Sequence, residues 1–267
     1  MTQPAASDVV PVCQPRYPAR ARWIAVARQA QAIRSDNVPA GLDLDDLEDG
    51  DAAARGRLML NLRLRWPRSG VRLTVGFLDN PERALRERIL HHMNLWNRTA
   101  NVAFTETAAV ADAEVRVSRT PGGGHWSWLG IDIQNHPGEP TMNLDGFTMA
   151  TTDAELARVV CHEAGHTLGF PHEHLRAELI ARLDPEATIR AYMSSQGWTR
   201  DDVIFQLLTP LEAADHRGSP RPDPHSIMCY QVPGSCTRDG QPIVGGTEID
   251  AEDHAFAGRV YPKPGAR

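Results

Sequence analysis

The eleven residues from His162 to His172 (His-Glu-Ala-Gly-His-Thr-Leu-Gly-Phe-Pro-His) constrain this chain of 267 residues more than any other stretch. On a helix, positions four apart lie on one face a single turn from each other, so His162 and His166 can offer two imidazoles to one ion. Gly169 can take a left-handed conformation that ends the helix and turns the chain back, which lets His172 approach as a third ligand. The fourth position is then open for water. Glu163 stands next to the first ligand and is no ligand itself, which suits a general base acting on that water. The plain alternative is a helix that carries histidines on a polar face by chance, and the added glycine and third histidine argue against it.

The chain before this motif divides in two. Residues 1–66 read as an N-terminal extension: Arg20 to Ile33 has helical composition, Asn37-Val38-Pro39 breaks it, and Leu42 to Asp51 is acidic with spaced leucines. Residues 67–267 read as one globular domain with no repeat. Val71, Leu73, Val75 and Phe77 alternate with smaller or polar residues, predicting a half-buried strand. A helix follows, for which Asn80 is the expected cap, Pro81 the first turn, and Leu85, Ile89, Met93 and Trp96 the apolar stripe. His91 and His92 on it are expected as surface or edge residues and not as ligands, since nothing near them completes a site. Short strands are predicted at 102–107, 113–118 and 140–144, with Pro121-Gly122-Gly123-Gly124 a flexible loop ahead of His125-Trp126-Ser127-Trp128. Thr152 and Glu155 have capping-box spacing at the start of the histidine helix, on which Leu156, Val160, Ala164 and Thr167 form the packing side. Further helices are predicted from Asp184-Pro185, from Thr199 with Asp202, and from Asp250 to about Val260.

The long histidine motif resembles that of the metzincin zinc endopeptidases, and the continuation Gly169-Phe170-Pro171-His172-Glu173-His174-Leu175-Arg176 is similar to the astacin branch. Ser226-Ile227-Met228-Cys229-Tyr230 has little specificity alone, since a core methionine is the ordinary reading. Placed about 60 residues after the histidine motif, it resembles the metzincin Met-turn. The resemblance implies an α+β domain with a twisted sheet above a zinc cleft and loops and helices below. It implies one catalytic zinc held by His162, His166 and His172, with Glu163 as base. Met228 would lie beneath the metal, and Tyr230 would be a labile fifth ligand or a hydroxyl donor to the transition state. Cys229 stands where the family usually has histidine. His125, Trp126, Ser127 and Trp128 would form an edge strand that binds extended substrate, an ordinary aromatic edge strand being the compatible plain reading. The implied function is endopeptidase action on proteins or peptides, with a zinc-containing peptide-binding protein as the alternative.

The resemblance also bears on the extension. Astacins are kept latent by a prosegment aspartate and matrixins by a cysteine, so Gly50-Asp51 and Cys13 are both candidates, beside the plainer expectation of a packing extension without inhibitory role. In astacins the glutamate matching Glu173 pairs with the freed amino terminus; here a nearby arginine is the plainer partner, and Arg176 reads as a structural ion-pair residue. Cys229 and Cys236 are close enough in sequence to bridge a loop.

Composition removes other classes. A net charge of −6 without a long basic run argues against nucleic-acid binding. No stretch approaches the ~20 apolar residues that cross a bilayer, so no membrane partner is expected. Met1 to Arg16 lacks the basic head and apolar block of a signal peptide, whereas the family resemblance implies secretion; the sequence leaves compartment and oligomeric state open.

Overall fold

A computed structural model describes residues 13–14, 16–40, 42–45, 62–210 and 221–265. Its upper half is built on a mixed sheet in the order β2-β1-β3-β5-β4. The strands are β1 (Val71–Phe77), β2 (Val102–Glu106), β3 (Val115–Ser118), β4 (Trp126–Ser127) and β5 (Met142–Asn143). The first four in spatial order run parallel, with Val71 opposite Val102, Val75 opposite Val115 and Val117 opposite Met142. β4 closes the order antiparallel to β5, with Trp126 opposite Asn143, so its far side is an open edge. Parallel pairing needs long crossovers, and α2 (Arg83–Met93) supplies the one from β1 to β2.

α1 (Trp23–Ile33), α2 and α3 (Asp153–Thr167) contribute to one main core with the sheet. Leu156, Val160 and Ala164 of α3 lie in that core as their spacing predicts. The extension is part of it too: Val26, Ala27 and Ala30 are buried in the same cluster. Buried Asn37 secures this packing, donating to the Ala30 and Arg65 carbonyls at 3.1 and 2.9 Å and accepting from the Arg65 N–H. A separate lower core gathers Leu183, Ile189, Tyr192, Trp198, Val232 and Ile243 around α4 (Pro185–Gln196). α5 (Ala251–Val260) returns to the upper core through Ala257 and Val260. Among the described residues no helix is long and apolar enough to cross a membrane.

Several local expectations need correction. Asn80 does not cap α2: it takes a left-handed turn conformation (φ 44°), which asparagine tolerates, and Glu82 sits at the cap position without a side-chain bond. His92 is buried against Asp153 at 3.4 Å, because α2 packs on α3. Thr152 does cap α3 through the Glu155 N–H, but the Glu155 carboxylate turns to Arg158 at 2.7 Å and leaves the capping box half made. The Cys229 and Cys236 thiols are free, Cys229 directed at the Tyr230 carbonyl and Cys236 held in a helical turn against the start of α4. Gly50-Asp51 lies outside the described residues.

Candidate metal centre

α3 ends where the sequence places its stop, and the ending is what assembles the site. Gly169 has φ 83°, its N–H bonds to the His166 carbonyl at 2.8 Å, and the Phe170 N–H reaches the Gly165 carbonyl at 3.0 Å. This is a Schellman closure, and it satisfies carbonyls that a helix end leaves bare. Distant residues take the remaining ones: Trp66 Nε1 donates to the Thr167 carbonyl at 2.8 Å and the Tyr261 hydroxyl to that of Leu168 at 2.6 Å. The chain then returns beneath the helix and delivers His172.

The three imidazoles meet at their Nε2 atoms, with His172 at 3.1 Å from His162 and 3.0 Å from His166. Four donors around zinc at 2.0–2.1 Å stand about 3.3 Å apart, so this spacing fits one edge of a tetrahedron after another. The outer nitrogens are fixed by backbone: His162 Nδ1 lies 2.6 Å from the Ile227 carbonyl and His166 Nδ1 lies 2.8 Å from that of Phe170. Each therefore donates its Nδ1–H outward and keeps Nε2 free as a ligand. Burial pushes all three imidazoles below their ordinary range, His162 to about 4, which keeps them neutral as metal binding requires.

Glu163 is fully buried beside them, and neither of its carboxylate oxygens has a hydrogen-bond partner. The Cys13 thiol is near enough to interact with it electrostatically without reaching that geometry. Burial lifts the carboxyl to about 8, a value that a dication beside it would pull down. A bare buried carboxylate is costly unless something else occupies the site, so the pocket is built for a cation and its water.

Beneath the ligands lies the turn Ser226–Tyr230. Met228 is buried under α3, and a Cβ added to Gly165 would come within 2.4 Å of its Sδ, so only glycine lets helix and turn approach this closely. The turn is anchored by a residue that spacing alone does not expose: Asp253, in the first turn of α5, accepts from Ser226 Oγ at 2.6 Å and from the Ile227 N–H at 2.8 Å. The same Ile227 then offers its carbonyl to His162, so α5 positions that imidazole through one residue. Glu173 accepts from the Asp223 N–H at 3.1 Å and from Arg176 at 3.4 Å, while its own N–H binds the Met228 carbonyl at 2.9 Å, tying the ligand loop to the turn. Arg176 is thus the ion-pair residue expected.

The residue that sequence spacing undervalues most is Cys13. Its Sγ and one nitrogen each of His162, His166 and His172 all lie within 4.8 Å of one another, and all four residues are buried. It arrives on a segment that adds to the open edge of the sheet. Gln14 N–H donates to the His125 carbonyl and Arg16 N–H to that of Ser127, both at 3.1 Å, and Arg16 pairs with Trp128 in the parallel sense. The Tyr230 hydroxyl donates to the Cys13 carbonyl. The β4 edge thus pairs, through the His125 and Ser127 carbonyls, with Gln14 and Arg16 of the chain itself.

Residues 59–183 match the model of the Astacin peptidase family. Among curated proteins, zinc metalloproteinase nas-27 of Caenorhabditis elegans is 33% identical over 179 residues, which take in 64% of this chain and 35% of that protein. The chain thus spans about a third of that relative's length. Among solved structures, myroilysin is similar with a TM-score of 0.69 and 29% identity over 75% of this chain and 96% of that one. A hatching-enzyme zinc protease of the medaka fish Oryzias latipes shares the fold, with a TM-score of 0.51 and 17% identity over 74% of this chain and 92% of its own.

Proposed function

We propose that this chain, whose motifs, fold and relatives are similar to those of the astacin-like metzincins, is a zinc-dependent endopeptidase whose cleft is closed by its own Cys13, Gln14 and Arg16. The observation that carries the first half is the convergence of the His162, His166 and His172 Nε2 atoms beside the unpartnered Glu163 carboxylate. These three nitrogens would hold the zinc, which when bound would supply Lewis-acid chemistry, polarising a carbonyl and lowering the pKa of water. Glu163 takes the proton of the attacking water and passes it to the leaving amine nitrogen. The Tyr230 hydroxyl, freed from the Cys13 carbonyl, donates to the oxygen that gains charge as water adds. The β4 edge holds the substrate backbone extended through the His125 and Ser127 carbonyls. A peptide-binding protein without turnover would have no use for a buried, unpaired carboxylate, which argues against that alternative.

The second half rests on Cys13. A thiolate in the fourth position of a histidine-bound zinc closes the coordination shell, and a closed shell leaves no place for water. Burial and Glu163 push the free thiol up, so an ion is what makes a thiolate there favourable.

The reading is tested with the Cys13→Ala chain, a denatured-protein peptide library analysed by mass spectrometry, and metal analysis. One zinc per chain and cleavage within peptides are the expected results; a zinc-loaded, folded chain that cuts nothing would overturn the peptidase assignment. In the same background Tyr230→Phe should lower kcat on the order of 10²-fold while zinc content holds, the usual cost of one oxyanion donor. Loss of zinc instead would make Tyr230 a residue that supports the metal.

A further inference from the structure

The segment lying on β4 also reports what that edge is shaped to hold. Ser127 directs its hydroxyl inward to Thr167 Oγ1 at 3.0 Å, so its neighbours Trp126 and Trp128 face the other side of the strand. On that side the Arg16 guanidinium carbon lies 3.5 Å from the Trp126 ring centroid and 5.9 Å from that of Trp128. Trp128 is itself stacked on His136 at 3.6 Å, which braces it as a flat wall. Asp132 and Glu139 approach the His136 ring at 3.4 and 3.7 Å, giving the shelf a negative border. Two indole faces backed by carboxylates form a seat for a cation.

We propose that the Trp126 and Trp128 faces form a substrate subsite for an arginine or lysine side chain, occupied in the closed protein by Arg16. The inference rests on the endopeptidase reading above and adds a substrate preference to it. Its position follows from the strand. Arg16 is three residues from Cys13, so at about 3.3 Å per residue the shelf lies roughly 10 Å from the metal ligands. β4 leads away from them, since His125 lines the cavity with His162 and Glu163 while Trp128 lies beyond. Gln14 and Arg16 pair with β4 in the parallel sense. A substrate pairing in the antiparallel sense, the slightly stronger arrangement, runs toward the metal. Its cationic residue therefore precedes the cut bond, by about three positions.

The test uses the full chain carrying Cys13→Ala and Arg16→Ala, so that neither contact of the closing segment competes. Cleavage products of a peptide library should show arginine and lysine enriched about fivefold, two to four residues before the cut. Trp126→Phe should retain part of that enrichment and Trp126→Leu should abolish it, through KM and not kcat. A binding measurement separates this inference from the peptidase reading. With Glu163→Gln added, two peptides that differ only by arginine against norleucine at that position are titrated against the zinc-loaded protein. About fivefold tighter binding of the arginine peptide, lost in Trp126→Leu, is the expected result. Equal affinities, or a preference that survives Trp126→Leu, overturn the subsite whether or not peptides are cut; absent cleavage with the preference intact overturns only the peptidase reading.

Discussion

Glu163→Gln, made in the Cys13→Ala chain, is expected to bind zinc at full stoichiometry and to lose turnover on the order of 10²–10⁴-fold, the range over which a positioned general base acts. The two outcomes separate because Glu163, in the proposed mechanism, acts on water and does not hold the metal. Its neighbours His162 and His166 are oriented from elsewhere, by the Ile227 and Phe170 carbonyls, so an isosteric amide leaves the metal's donors in place. Gln is also close in volume, so the fully buried site is not emptied. What the amide cannot do is take a proton from water. Stability gives a second readout. The wild-type carboxylate has no hydrogen-bond partner at either oxygen, and a neutral group there avoids desolvating a charge. The metal-free variant should unfold at the same or a higher denaturant concentration than metal-free wild type. Retained hydrolysis would remove Glu163 from the mechanism, whereas lost zinc would mean that the carboxylate helps to hold the ion.

Much of this arrangement is readable from residue order because it is local. His162, Glu163, His166 and Gly169 sit within about two turns of helix, and helical spacing with one left-handed glycine fixes their mutual placement. The alternation in β1 and the caps at Asp184, Thr199 and Asp250 are local in the same way, and each forms as the pattern predicts. Elements whose role depends on the path of the chain were not readable so directly. Asp253 reaches Ser226 across 27 positions, and its spacing from Asp250 marks it only as a capping residue. A signal did exist, since a serine opening a tight buried turn needs an acceptor. Asn80 failed as a cap because a left-handed turn took it first, a choice that side-chain propensity does not resolve. Cys13 stands furthest from the motif it joins, and a lone cysteine near the start of a chain carries no geometric information about a histidine cluster far along it. The pairing of Gln14 and Arg16 with the sheet edge brings it there.

That pairing makes the second large effect specific: the full-length Cys13→Ala chain should cleave peptides at least about 10²-fold faster than full-length wild type. At 1.4 kcal/mol per decade this asks the thiolate for about 3 kcal/mol beyond what the rest of the segment contributes, modest for a metal–sulfur bond. The other contacts include two backbone hydrogen bonds to β4, the buried Tyr230 hydroxyl on the Cys13 carbonyl, Arg16 on the indoles and Tyr17 edge-on to Phe205. They set orientation, and the parallel pairing of Gln14 and Arg16 keeps the segment from lying on the edge as an antiparallel substrate would. Without the thiolate they exchange with substrate, because a short tethered strand competes at no more than millimolar effective concentration. Cys13→Ser should fall between the two, since a hydroxyl is a poorer ligand than a thiolate. Cobalt provides a readout that does not depend on catalysis. The cobalt-substituted wild type should show a thiolate-to-metal charge-transfer band that Cys13→Ala lacks, and cutting after residue 17 should abolish the band as it raises activity. If wild type and Cys13→Ala turn over equally and neither shows the band, Cys13 does not reach the metal in solution, and residues 13–17 are a packing strand on an enzyme that is open as made.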